Sequence, residues 1–209
     1  MATSNGSTDP QVVAYIVRHG ETELNAGGKF RGPLDPPLDE HGLNEADKIG
    51  KFFQNTDLGF ATRSDRIRTQ QTAAPTLDPK GITATADPNL RAWNVGYLAG
   101  KVKSEHQDEI SYFQNNPDVQ IPNGESLDEF RGRARGPLLG AIDKGIQSGV
   151  PSVVFGHSSI VKEVSNLVHG DHNKVAVYPG GIAGVTWDGN KLDYKALSKK
   201  KASAEGFGQ

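Results

Sequence analysis

In VVAYIVRHGETELN (residues 12–25), a short run rich in Val, Ile and Tyr breaks off into Arg18-His19-Gly20-Glu21-Thr22. The run is apolar at successive positions, the pattern of a strand buried on both faces, as in a parallel sheet. A strand that ends this way delivers a cation and an imidazole to one edge of the sheet. In open α/β folds ligands bind beyond that edge. Residues 150–155 form a second apolar run, leading into Gly156-His157-Ser158-Ser159. The two runs predict two histidines at one rim, each beside a glycine that permits close backbone approach.

The rest of the chain alternates between helix and strand. Residues 40–55 carry Leu43, Ala46, Ile49, Phe52 and Phe53 at helical spacing. Residues 58–62 read as a short strand, 65–77 as a helix stopped near Pro75 and Pro79, and 82–86 as a weak strand. Ser126-x-x-Glu129 is a capping box. It opens a helix that Gly132, Gly136 and Pro137 are expected to kink or split. Residues 159–168 read as a helix. Residues 181–187 and 191–197, joined by Asp188-Gly189-Asn190, read as a terminal hairpin. Together these predict an α/β fold: a three-layer αβα sandwich with a mostly parallel sheet and an antiparallel edge. The domain spans residues 11–197. The small, polar segments 1–10 and 198–209 are expected to be flexible tails.

Composition narrows the function. The 209 residues are 35% hydrophobic, which suits a packed core, and nothing divides the chain into two compositions. Lys and Arg number 23 against 25 Asp and Glu, so no bulk charge favours nucleic acid or a membrane surface. The absence of cysteine excludes disulfides, a Cys nucleophile and thiolate metal sites. No apolar run approaches a membrane span, and the first ten residues lack the segments of a signal peptide, so the expected compartment is the cytoplasm. His169-Gly170-Asp171-His172 reads as a polar turn rather than a metal site.

A third element fits the same rim. Arg63, Arg66 and Arg68 lie at the start of the helix at 65–77, and both helix N-termini and arginine forks suit anions. Arg63 and Arg66 fit a solvated face equally well.

These motifs, in this order, resemble the histidine phosphatase superfamily, the phosphoglycerate mutase-like family, from about residue 12 to 187. The Arg-His-Gly-Glu-Thr signature is residues 18–22, with Asn25 three positions on. GPLDPPLDEHG (32–42), RTQQTA (68–73), PNGES (122–126) and VVFGHSS (153–159) are similar to four further family stretches. The resemblance implies a phosphoglycerate mutase-like fold and a metal-free, cofactor-free reaction through a phosphohistidine. It makes His19 the nucleophile and places Arg18, Arg68 and His157 around the transferring phosphoryl group. Asn25, Arg31, Gly20 and Ser158 are implied as further phosphate contacts. The implied partner is a phosphorylated small molecule or phosphoprotein.

One family position departs. The usual proton donor is a Glu in a Leu-x-Glu element, but NLRAWNVGYLAGK (89–101) places Ala92 there. A positioned acid contributes roughly 10²–10⁴-fold for a basic leaving group. A displaced acid could come from Glu105, Asp108, Glu109 or Glu125. Alternatively the substrate has a good leaving group, as a protein phosphohistidine does. A third reading, of a different class, is a catalytically weak relative that serves as a structural or binding component of a homo-oligomer or larger assembly. Only about 20 residues separate Gly100 from Pro122, too few for the insertion of cofactor-dependent mutases, so residues 101–123 are expected to form a short lid bearing Tyr112 and Phe113.

Overall fold

The computed structural model describes residues 10–198, so the predicted tails lie outside it except for Pro10 and Ser198. The opening run forms β1 (Gln11–Arg18), and the second apolar run forms β4 (Ser152–Gly156). They pair in parallel, from Ala14↔Ser152 to Arg18↔Gly156. A single helical turn, α1 (Glu23–Ala26), follows β1. β2 (Ala61–Arg63) pairs with the other side of β4, and β3 (Thr85–Ala86) with β2, both in parallel. β5 (Ile182–Trp187) runs antiparallel to β1, and β6 (Leu192–Ala196) antiparallel to β5. The order β3-β2-β4-β1-β5-β6 gives the expected parallel sheet with its antiparallel hairpin edge.

Successive side chains of β1 and β4 enter opposite cores, which explains the unbroken apolar runs. Val17, Val153 and Phe155 pack with Ile49 of α2 (Glu40–Phe52), with Phe53 just after it, and with Ala73 and Leu77 of α3 (Ile67–Leu77). Ala14, Ile16 and Val154 pack on the other side. Their partners include Phe130, Leu138 and Ile142 of α5 (Leu127–Ser148) and Ile160 and Val164 of α6 (Ser158–His169). Each fully buried side chain of this size contributes about 1.5–3 kcal/mol.

One expectation is corrected. Leu43 and Phe52 are exposed; the buried face of α2 carries Gly42, Glu45, Ala46 and Ile49, with Phe53 just beyond. α3 ends at Leu77, as the sequence predicts, with Pro75 inside its last turn, and continues into a 3-10 turn at Asp78–Lys80. Close packing holds it there: a Cβ on Gly50 of α2 would lie 2.7 Å from the Pro75 carbonyl oxygen. The capping box at Ser126 and Glu129 forms as predicted, and α5 is a continuous helix of 22 residues rather than two pieces. Gly132, Gly136 and Gly140 face open space, while the apolar stripe of α5 stays buried and holds the helix together.

The 101–123 lid contains the helix α4 (Gln107–Asn115). Its Phe113 is a core residue, while Tyr112 is exposed.

Gly145 lets α5 lie directly on β1, since a Cβ there would fall 1.8 Å from the Val13 carbonyl oxygen. Gly145→Ala should therefore lower the urea midpoint, at a cost of roughly 1–3 kcal/mol. Gly140→Ala, into open space on the same helix, should raise it by about 0.5–1 kcal/mol.

Candidate active site

The β1–β4 register builds the site. Arg18 is opposite Gly156, and the next backbone step carries both histidines off the sheet together, with the His19 N–H donating to the Gly156 carbonyl at 3.0 Å. The His19 and His157 rings lie 5.3 Å apart at 66°, and both are fully buried. His157 is the N-cap of α6.

His19 has one protein partner and one open nitrogen. Its Nδ1 lies 2.6 Å from the Gly20 carbonyl oxygen. A carbonyl only accepts, so Nδ1 carries the proton and Nε2 keeps its lone pair. Nε2 is buried with no protein partner, as are both ring nitrogens of His157. Burial first, then the charges of Arg31, Arg68 and Arg18, hold the His19 imidazole well below its ordinary range. His157 is lowered in the same way, by burial, Arg68 and His19 above all. Both rings are thus neutral near pH 7.

Three arginines surround them. Arg18 anchors Nη1 on the Val177 carbonyl at 2.8 Å. Arg68 is fully buried, with Nη1 on the Leu34 carbonyl at 2.9 Å and on Asp35 Oδ1 at 3.1 Å. Arg31 is 8% exposed. Arg18 Nε, Arg31 Nε and Nη1, and Arg68 Nε and Nη2 are all buried without protein partners. Burial lowers the pKa of Arg18 and Arg68 to about 10; for Arg31, burial together with Arg18 and Arg68 lowers it to about 9. Unpaired buried donors are costly, so this cluster has the chemistry of a receptor for a small oxyanion.

The remaining predicted contacts divide. Asn25 turns its Oδ1 to the Thr22 hydroxyl at 2.9 Å, which leaves its amide nitrogen as the donating end. Ser158 is half-buried in the first turn of α6, beside His157. Arg66 is the N-cap of α3, and its charge acts on His157 and Arg68. Arg63 instead turns Nη1 to the Ser64 carbonyl. Gly20 is engaged within the fold. Its N–H is committed to Thr72 Oγ1 at 3.1 Å, and its close backbone approach is to Gly42, where a Cβ on Gly20 would lie 2.5 Å from the carbonyl oxygen.

The displaced-acid candidates are engaged elsewhere or exposed. Glu125 is held by Arg133 Nε at 2.8 Å and by the Asn94 N–H at 2.8 Å. Glu109 is bound by Tyr97 and by His106. Glu105 and Asp108 are exposed on the lid. The charges acting on His19 and His157 are cationic. Ala92 only offers its carbonyl to Arg133, at 3.0 Å. Among the described residues, no group of three His, Cys, Asp or Glu side chains is arranged to hold a metal ion.

The chain matches the family model of the histidine phosphatase superfamily (branch 1) over residues 14–198. It belongs to that superfamily. A probable phosphoglycerate mutase, GpmB of Yersinia pestis (strain Pestoides F), is 35% identical over 129 residues. That match covers 59% of this chain and 60% of the relative's length. The crystal structure of a phosphoglycerate mutase from Thermus thermophilus is 27% identical, with a TM-score of 0.66 over 88% of this chain and 96% of that one. A mycobacterial glucosyl-3-phosphoglycerate phosphatase crystallised with VO3 shares the fold at a TM-score of 0.74 and 18% identity, over 90% and 99% of the two chains. No helix among the described residues is long and apolar enough to cross a membrane.

Two lysines near this superfamily site escaped sequence reasoning. The Lys103 N–H donates to the Gly28 carbonyl at 3.0 Å, which sets the lid against the loop that leads to Arg31. Burial, then Arg31, Arg18 and Lys162, lowers the Lys103 pKa to about 8. Lys162, on α6, is lowered by burial and Arg18. Only the repeated cations of the GKVK stretch could have signalled Lys103, and lysines in a loop ordinarily read as solvated.

With its pKa lowered to about 8, Lys103 is mostly charged at pH 7 and mostly neutral at pH 9, where Arg31, lowered to about 9, also begins to lose its charge. Calorimetric titration with inorganic phosphate should show affinity falling across that interval. Lys103→Met should weaken binding at pH 7 by about fivefold, the ~1 kcal/mol scale of a partly screened charge, and flatten the fall.

Proposed function

We propose that this chain is a phosphatase that hydrolyses phosphomonoesters through a phosphohistidine on His19, with a rate set by its leaving group. The observation that carries this reading is the buried, unpartnered His19 Nε2 among the unpaired donors of Arg18, Arg31 and Arg68.

The His19 Nε2 lone pair attacks phosphorus, and the bond from phosphorus to the leaving oxygen breaks. Arg18, Arg31, Arg68 and His157 donate to the phosphoryl oxygens as charge spreads over them. The departing oxygen takes the electron pair and a proton from solvent. Water then attacks the phosphohistidine. The phosphorus–nitrogen bond breaks, inorganic phosphate leaves, and the neutral imidazole returns.

With Ala92 in the acid position and the nearby carboxylates engaged or exposed on the lid, alkyl phosphates should be poor substrates. Aryl phosphates and a phosphohistidine, whose leaving groups need less protonation, should be good ones. This favours protein phosphohistidine phosphatase as a second reading. The names of the relatives include both mutase and phosphatase. The short 101–123 segment and Ala92 favour hydrolysis over mutase chemistry. The substrate is a phosphorylated small molecule or phosphoprotein, and no metal takes part.

Brief exposure to a reactive aryl phosphodonor, followed by quench in alkaline detergent, should leave an alkali-stable, acid-labile label on the wild type and none on His19→Ala. Steady-state rates should fall at least about 10²-fold from aryl to alkyl phosphates, the scale of a missing acid. An equally labelled His19→Ala would rule out the nucleophile. Equal aryl and alkyl rates would show that an acid is present after all.

A further inference from the structure

Glu45 is a buried carboxylate on α2 that no step above uses. Its Oε2 accepts the Glu21 N–H at 2.8 Å, and its Oε1 lies 3.2 Å from His41 Nε2. Its stem packs against Gly180 so closely that a Cβ on that glycine would lie 2.8 Å from Glu45 Cβ. Gly180 in turn donates its N–H to the His19 carbonyl at 3.1 Å, and the Gly181 carbonyl accepts the Arg18 N–H at 2.9 Å. Glu45 therefore touches both segments that hold Arg18 and His19, from behind the site. It is also the carboxylate that acts electrostatically on Arg18, as Asp35 does on Arg68.

From these contacts we infer that Glu45 is a positioning residue with two effects: it fixes the Gly20–Glu21 backbone that orients His19, and it offsets the charge of Arg18 so that inorganic phosphate is released rather than trapped. The first effect follows from connectivity. The Gly20 carbonyl that receives His19 Nδ1 belongs to the peptide whose N–H, on Glu21, is bound by Glu45. The second follows from charge. Arg18, Arg31 and Arg68 converge on one small site, and phosphate is both a product and a tight ligand for such a cluster. A carboxylate whose charge acts on Arg18, packed on the Gly180–Gly181 segment that accepts the Arg18 N–H, weakens the pull of that arginine on the anion.

The inference rests on the phosphatase reading, and substitutions separate its two effects. Glu45→Gln keeps an oxygen for the Glu21 N–H but removes the charge. Glu45→Ala removes both. Phosphate affinity, read by calorimetry, should tighten about three- to tenfold in Glu45→Gln, a range typical of one partly screened charge. The aryl-phosphate labelling rate should stay near wild type in Glu45→Gln and fall at least tenfold in Glu45→Ala. Glu45→Gln steady-state turnover should fall together with KM, the sign of slowed release. A merely structural role would lower the melting temperature of both variants and leave phosphate affinity and labelling rate unchanged, which would overturn the inference. If Glu45→Ala does not fold, unchanged phosphate affinity in Glu45→Gln overturns it alone. A wild type that takes no label contradicts the phosphatase reading, while the phosphate titration still reports on Glu45.

Discussion

The hydrogen bond from His19 Nδ1 to the Gly20 carbonyl is the constraint on which the site depends. A buried imidazole between cations has two neutral tautomers, and only the one protonated at Nδ1 leaves Nε2 able to attack. The bond is short in sequence but long in its supports. Gly20 is held by Thr72 of α3 through its N–H, and it abuts the backbone of Gly42 in α2. The packing is reciprocal, since a Cβ on Gly42 would lie 2.1 Å from the Glu21 carbonyl oxygen. Two helices from one face of the sheet thus hold the peptides on either side of Gly20, and the carbonyl of one of them sets one proton.

Electrostatics explains why the arrangement suits phosphate. Buried guanidinium groups lose solvation, and those of Arg18, Arg31 and Arg68 keep donors unpaired. That cost is recovered when an oxyanion enters and accepts from several of them at once. Burial first, and then the same cations, keep His19 and His157 neutral. On the proposed reading, one arrangement thus prepares both reactants: it attracts the anion and helps keep the His19 imidazole unprotonated. It also bears on the leaving group, because the charges that converge on the two imidazoles are not those of a protonatable carboxyl group. The proposed phosphoryl transfer fits both the superfamily and the local chemistry, with Ala92 standing where the sequence places the usual acid.

Much of this was legible in the sequence, for physical reasons that differ by element. β1 and β4 could be read because strands buried on both faces leave continuous apolar runs, and each run ends in its histidine. The hairpin announced itself through Asp188-Gly189-Asn190, with Gly189 at a positive φ. Continuity of α5 could not be read, since local rules treat Gly132, Gly136 and Pro137 as breaks and do not see the buried face that overrides them. Nor could the role of Gly20: a glycine beside a histidine suggests room for a ligand, whereas here the room is taken by Gly42, some 20 residues away in sequence. Glu125 stood in a family motif and looked available, but its partner Arg133 comes from the next helix. Lys103 and Glu45 were missed because their neighbours in space, Arg31, Arg18 and the Glu21 amide, are distant in sequence.

The state of the His19 ring tests the central claim most directly. Nitrogen-15 NMR of the chain labelled at its imidazoles, titrated from pH 5 to 8 with His19→Gln to assign the signal, reads protonation and tautomer together. The structure predicts a His19 ring that stays neutral through pH 6.5, with the proton on Nδ1 and a bare Nε2. A ring that gains its second proton near pH 6.5, or that carries its single proton on Nε2, would contradict it.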